Sequence, residues 1–336
     1  MSKVLDIKNL TVYFEMSDGI VKAVNDLSLS MEKGTTLGVV GETGAGKTTM
    51  AKTILRLIPM PPGSIKSGEI YYYDQDILKM TDSEIREVRG KKISMIFQDP
   101  MTSLNPVLTV EDQIAEVIEL HEHLNKAQSL EKAREMLEMV GIPARRGSEY
   151  PHQFSGGMKQ RVVIAIAMAC NPDLLLADEP TTALDVTIQA QVLDMMRELR
   201  DKQGTSLILI THDLGVVAQN CDHVAIVYAG EVVEFGEVHE IYNRTAHPYT
   251  VGLLNSVPKL NENVKRLHPI DGLMPDPTRL PEGCFFAPRC PYATDKCQSE
   301  HPQTVAVGLD HSVRCHYPGI TSNNVSNTER RENGNE

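Results

Sequence analysis

The sequence predicts an α/β fold: a mostly parallel sheet of short buried strands, an antiparallel β layer at its start and a helical subdomain inserted in its middle. Three observations carry that expectation. Over the first 250 residues, short β-branched apolar runs alternate with amphipathic helical patterns, the order expected of strand–helix units stacked on one sheet. Val4–Phe14 and Lys22–Met31 alternate apolar and polar residues as half-buried strands do. Between Asp99 and Ala165 strand-like runs disappear and apolar residues recur at helical spacing.

Taken in order, Val4–Phe14 and Lys22–Met31 form the antiparallel layer. Leu37–Val40, Ile93–Phe97, Leu174–Ala177, Leu207–Ile210 and Val224–Val227 are continuous apolar runs, as expected of parallel strands covered on both faces. Inside the insertion, Ile114/Val117/Ile118 and Ala133/Met136/Leu137/Val140 each mark one face of a helix. From Pro258 onward, prolines at 258, 269, 275, 277, 281, 288, 291 and 302 interrupt any periodicity. The expected organisation is therefore a domain over residues 1–257 with a helical subdomain at about 99–165, then a small irregular cysteine-containing domain over 258–318. The polar stretch 319–336 is expected to be a disordered tail.

Composition narrows the function. The chain has 336 residues, 41% hydrophobic and 23% charged, as a globular protein has. Its longest apolar stretch, Val162–Cys170, has nine residues, whereas a membrane-spanning helix needs about 20. The opening MSKVLDIKNL lacks the apolar core of a secretory signal. A net charge of −12 offers no overall attraction to a phosphate backbone, so no nucleic-acid partner is expected.

The first motif with chemistry is Gly41-Glu-Thr-Gly-Ala-Gly46-Lys47-Thr48, which matches G-x4-G-K-[ST] between an apolar strand and a helical pattern. Its glycines let successive backbone N–H groups turn toward phosphate oxygens, and the helix N-terminus adds its positive end. Lys47 is expected to reach the β- and γ-phosphates and the Thr48 hydroxyl to coordinate Mg2+. Leu174–Ala177 then runs into Asp178 and Glu179. Asp178 is placed to hold Mg2+ through water and Glu179 to polarise the attacking water. Either motif alone also reads as a turn; together they indicate a nucleoside triphosphatase.

Phe154-Ser155-Gly156-Gly157-Met158 resembles the signature motif of ABC ATPases, usually LSGGQ. The remaining landmarks follow in the family's order: Gln98 is similar to the Q-loop, Ala183-Leu184-Asp185 to the D-loop, and His212 to the switch histidine. Phe14 is similar in position to the aromatic residue that stacks on adenine, with Tyr13 beside it as the alternative. The resemblance covers about residues 3–256 and implies a P-loop ABC ATPase cassette with a RecA-like core. It implies an ATP site made of Gly41, Glu42, Thr43, Gly44, Ala45, Gly46, Lys47, Thr48 and Thr49. It further implies that Thr48, Gln98 and Asp178 hold Mg2+ and that Glu179, His212 and Gln98 are the catalytic set. A second cassette packed head to tail would cap this ATP with its signature, as Ser155, Gly156, Gly157 and Asp185 cap the other. Two departures stand out: Phe154 for Leu keeps an apolar anchor, and Met158 for Gln removes polar contacts.

Three further segments resemble the ATP-binding subunits of bacterial oligopeptide and dipeptide importers. They are Gln98–Pro106, Ala246-His247-Pro248-Tyr249-Thr250 with Leu253-Leu254, and Gly283–Pro291 with Val313–Cys315. The resemblance implies peptide uptake through two transmembrane permease subunits, on the cytoplasmic face of the membrane. A sibling ATPase as heterodimer partner and an extracytoplasmic peptide-binding protein complete the implied assembly. His247-Pro248 itself reads as a helix start with proline at the first position. The alternative is an ABC ATPase without membrane partners, acting in translation or DNA repair. Such proteins commonly carry two cassettes or a long coiled-coil insertion, and this chain has one copy of each motif and no sustained heptads.

Cys284, Cys290, Cys297 and Cys315 fall close together in the irregular segment. Zinc sites favour short C-x2-C knuckles, whereas these wider spacings suit a cluster whose irons lie further apart. The importer resemblance implies a [4Fe-4S] cluster in some members; Zn2+ and unliganded thiols are the alternatives. His311 and His316 are possible substitute ligands. Cys170 and Cys221 stand apart and read as small core residues.

Overall fold

The computed structural model describes residues 2–182, 184–256 and 270–319. The expected boundary at 257/258, Pro258 and Pro269, Ala183 of the D-loop and residues 320–336 of the expected tail lie outside the described residues.

In chain order, β1 (Lys3–Met16) and β2 (Gly19–Glu32) form a hairpin, followed by β3 (Thr36–Val40), α1 (Lys47–Ile54), β4 (Gly63–Tyr72), β5 (Gln75–Asp76), α2 (Asp82–Val88) and β6 (Ile93–Ile96). The insertion contains α3 (Pro100–Ser103), α4 (Val110–Glu122), α5 (Lys126–Met139) and α6 (Gly156–Met168). The core resumes with β7 (Leu174–Asp178), α7 (Val186–Gln203), β8 (Ser206–Thr211), α8 (Leu214–Asn220), β9 (His223–Tyr228), β10 (Glu231–Glu237), α9 (Val238–Asn243) and α10 (Pro248–Asn255). The last part carries α11 (Asp295–Ser299), β11 (Thr304–Ala306) and β12 (Ser312–Arg314).

The strands assemble into a four-stranded antiparallel sheet, β2-β1-β4-β5, and an eight-stranded sheet, β11-β12-β10-β9-β3-β8-β7-β6. Within the second, β9, β3, β8, β7 and β6 run parallel, as their continuous apolar sequences require. The strand period of two divides each run between two cores. Leu174, Leu176, Ile208 and Ile210 face the core under the antiparallel sheet, while Leu175, Ala177, Leu207 and Leu209 face the core shared with α4–α7. Local signals set the helix ends: Thr81 and Asn125 make capping boxes for α2 and α5, Thr109 caps α4, and Gly204 closes α7 at φ 67°.

The cysteine-bearing segment does not stand off from the cassette. β12 pairs antiparallel with β10 and so extends the main sheet, and Phe286 packs in one cluster with Tyr228, Tyr249 and Val224. The sequence gives little warning of this, because β10 carries Glu231 and Glu234, which look like surface residues. Glu234 is fully buried. Its carboxylate accepts the backbone N–H groups of Ala246 (2.6 Å) and His247 (3.0 Å) and lies 2.8 Å from His311 Nε2. Replacing Glu234 by Ala orphans all three groups and should cost about 3–5 kcal/mol. Thermal unfolding would show it as a lowered midpoint, and an unchanged midpoint would contradict the role of this carboxylate.

Candidate nucleotide site

The Gly41–Thr48 loop leaves the central strand β3 and enters α1. A Cβ on Gly41 would come 2.1 Å from the Val227 carbonyl oxygen, and one on Gly46, which sits at φ +99°, 2.3 Å from that of Ala23. Only glycine allows this approach. Gly46 offers α1 no side-chain cap, which leaves first-turn amides for an anion. Lys47 is buried, and its ammonium donates back to the carbonyls of Gly41 (2.6 Å) and Glu42 (2.9 Å). Burial lowers its pKa, opposed by the charges of Glu179, Asp178 and Glu42. Thr43 and Gly44 are exposed, Ala45 is buried and Thr49 half-buried.

The acidic pair occupies the end of β7. Asp178 is buried, which pushes its carboxyl up, and it accepts a hydrogen bond from Thr48 Oγ1 at 3.1 Å. This carboxylate–hydroxyl pair beside Lys47 is the arrangement that can hold Mg2+ on a triphosphate. Glu179 takes a left-handed backbone (φ 48°), anchored by its N–H to the Ile210 carbonyl. Its carboxylate accepts from Thr182 Oγ1 (2.9 Å) and Gln98 Nε2 (3.0 Å) and lies 3.5 Å from His212 Nδ1. Burial pushes the Glu179 pKa up, but Thr182, His212 and Gln98 together bring it below the ordinary value. Gln98, Glu179 and His212 follow the C-terminal ends of the parallel strands β6, β7 and β8, the edge where such sheets bind ligands.

The signature lies elsewhere. Ser155, the N-cap of α6, and Gly156, its first residue, are exposed, and the Ser155 hydroxyl makes no capping bond. Gly157 abuts Ile188, whose Cγ2 would be 2.6 Å from an added Cβ. Among the described residues no hydrogen bond joins Ser155, Gly156 or Gly157 to the phosphate loop, Glu179 or His212. Met158 turns inward: its sulfur accepts from Arg146 Nη1 at 3.3 Å, and that guanidinium also covers the Phe154 ring at 4.5 Å. Asp185 caps α7 by accepting the Ile188 N–H. Phe14 is half-buried against the core beside Gly63, and Tyr13 is half-buried next to it.

Sequence reasoning missed two sets of residues. Thr182, in the turn after Glu179, orients that carboxylate; its place in Pro180-Thr181-Thr182 was a readable turn signal. Arg289 and Tyr249 reach Glu42 of the phosphate loop from the C-terminal part, contacts between segments more than 200 residues apart that no local pattern reveals.

The four C-terminal cysteines line one small cavity, of about 20 Å³, together with Phe286, Tyr292 and Tyr317. Burial pushes the thiols of Cys284, Cys290 and Cys315 up to about 11. Among the described residues no group of three or more His, Cys, Asp or Glu side chains is drawn together as around a single metal ion. His316 also lines the cavity, whereas His311 is bonded to Glu234. His247 begins α10 with Pro248 in first position, and its Nδ1 accepts the Tyr249 N–H. Cys170 and Cys221 do not line the cavity, and Cys221 packs against the core.

A glycine loop clamped under a central strand, a buried lysine, a hydroxyl–carboxylate pair and a glutamate at the next strand end, with an antiparallel layer and a helical insertion, define an ATP-binding cassette. Residues 24–182 match the ABC transporter family and residues 233–297 the oligopeptide/dipeptide transporter C-terminal region. The dipeptide transport ATP-binding protein DppD of Bacillus subtilis is 48% identical over 317 residues, 94% of this chain and 95% of that one. The oligopeptide transport ATP-binding protein OppD of Bacillus subtilis is 49% identical over 94% of this chain and 88% of its own. The chain belongs to the ATP-binding subunits of the oligopeptide/dipeptide ABC transporter family. In structure it is similar to a dimeric ATP-binding cassette, MJ0796, in a post-hydrolysis state bound to ADP and Pi. The TM-score is 0.63 at 28% identity, covering 70% of this chain and 98% of that one.

Thr182→Val removes one of the bonds that stabilise ionised Glu179. A carboxylate with a depressed pKa stays charged until the pH falls through that pKa, so raising it should move the acid limb of the ATPase pH–rate profile upward. A profile that superimposes on that of the unmodified protein would show that Thr182 does not tune the glutamate.

Proposed function

We propose that this ATPase drives import of di- and oligopeptides through two membrane-spanning permease subunits, working from the cytoplasmic face of the membrane. The observation that carries this reading is the match to the oligopeptide/dipeptide transporter C-terminal region, joined in one chain to the cassette and shared along most of the length of relatives named for peptide transport. An extracytoplasmic peptide-binding protein would deliver the substrate. Among the described residues no helix is long and apolar enough to cross a membrane.

Two cassettes would pack head to tail, the second being a sibling ATPase. Glu179, held below the ordinary carboxylate pKa, serves as general base toward the attacking water. Lys47 would leave the loop carbonyls for the β- and γ-phosphates, Thr48, Asp178 and Gln98 would hold Mg2+, and His212 would contact the γ-phosphate. Phe14, or Tyr13 beside it, would stack on adenine. Ser155 and Gly156 are exposed, and among the described residues no hydrogen bond joins them to this chain's own site, which suits a role toward the partner's nucleotide. The partner's ATP, once its γ-phosphate is lost, no longer bridges the pair; closure is a shift between two states. Glu179→Gln should abolish turnover while preserving ATP binding, and should trap an ATP-dependent pair visible by sedimentation. Unchanged turnover would remove Glu179 from the mechanism.

We also infer that Cys284, Cys290, Cys297 and Cys315 hold a [4Fe-4S] cluster. The donor set supports this: all four thiols line one cavity together with Phe286, Tyr292 and Tyr317, and thiolates are the ligands such clusters take. A bound cluster supplies a rigid cross-link and a one-electron redox centre. Anaerobically purified protein should contain about four irons and as many acid-labile sulfides per chain. Stoichiometric zinc without iron would overturn the cluster in favour of Zn2+.

A further inference from the structure

Glu42, the second residue of the phosphate loop, is held from the C-terminal part of the chain by both its side chain and its main chain. Arg289 Nη1 lies 3.0 and 3.1 Å from the two Glu42 carboxylate oxygens. The Arg289 side chain is only 5% exposed. Its Nε donates to the Asp271 carbonyl at 3.0 Å, its Nη1 is 3.4 Å from Tyr228 Oη, and its guanidinium covers the Tyr228 ring at 5.7 Å. The Glu42 N–H donates to Tyr249 Oη at 3.1 Å. Tyr228, Tyr249 and Phe286 form one aromatic cluster with centroids 4.6–5.4 Å apart. The remaining polar group of Glu42, its carbonyl, accepts from Lys47.

A carboxylate at this place is a liability for a site that binds a triphosphate, because its charge repels the ligand. The loop also needs its backbone fixed before the ligand arrives, or binding must order it. A buried guanidinium answers both needs: it neutralises Glu42 and, with its several donors in a fixed plane, sets the side chain's position. We propose that Arg289 is a positioning residue of the ATPase: it neutralises and fixes Glu42, so that ATP affinity depends on the loop that carries the cysteines. Arg289 directly precedes Cys290, so a disturbance of the cysteine cavity is one residue from the ion pair. The proposal rests on the Gly41–Thr48 loop holding the phosphates, which ATP binding by the unmodified full chain checks separately.

The test is steady-state ATPase kinetics and equilibrium MgATP binding on the full chain. Arg289→Ala should raise the KM and Kd for MgATP roughly tenfold, the size expected for losing a charged hydrogen bond, with kcat within about twofold. Adding Glu42→Gln to that variant should restore KM to within about threefold of the unmodified value, because the uncompensated charge is gone. A merely structural arginine would lower the active fraction and hence kcat, leave KM unmoved and gain nothing from the second change. Arg289→Lys, which keeps the charge and loses the fork, should fall between; it serves if the alanine variant does not fold. Unchanged KM in Arg289→Lys and Arg289→Ala, or no recovery in the double variant, would overturn the proposal.

Discussion

The site depends first on a steric constraint: the phosphate loop is wedged between two strands' carbonyl oxygens, with no room for a side chain at Gly41 or Gly46. That wedge exists because β3 is the central strand of a sheet buried on both faces, flanked by β8 and β9. The Gly230 N–H donates to the Ala45 carbonyl and the Asn25 amide to that of Ala229, tying the loop to both sheets. A loop so confined has little backbone freedom left to lose when an anion binds. Asp178, Glu179, Gln98 and His212 then need only follow the ends of neighbouring parallel strands to surround it.

The second structural theme is the joining of the C-terminal part to this core. A short hairpin completes the sheet, Glu234 stitches it to the start of α10, and an aromatic cluster with Arg289 carries it to the phosphate loop. The Met274 methyl also lies over the loop, 3.3 Å from where a Cβ on Gly44 would be. The segment that matches the oligopeptide/dipeptide transporter C-terminal region thereby packs against the phosphate loop. It also carries Cys284, Cys290 and Cys297.

Much of this was legible in the sequence where the physics is local. The phosphate loop, the buried strands with their period-two division, the helical insertion and the helix start at Pro248 each have a signal within a few residues. The acidic strand end is legible too, because Asp178-Glu179 after four apolar residues has few other uses beside a phosphate loop. What was not legible depends on long-range pairing. β10 and β12 are short and carry charged residues whose partners lie tens of residues away, and β4 is diluted by Gly63, Ser64, Ser67 and Gly68. The inward turn of Met158 depends on Arg146 from a different loop. The Arg289–Glu42 contact spans most of the chain.

The central proposal is that a second cassette completes the reaction centre, since among the described residues no hydrogen bond joins this chain's signature to its own phosphate loop. Its most direct test is the specific ATPase rate of the purified subunit as a function of protein concentration. Turnover per chain should fall steeply on dilution as pairs separate, and recover when the partner cassette is added. A rate per chain that stays constant into the range where only monomers exist would contradict it.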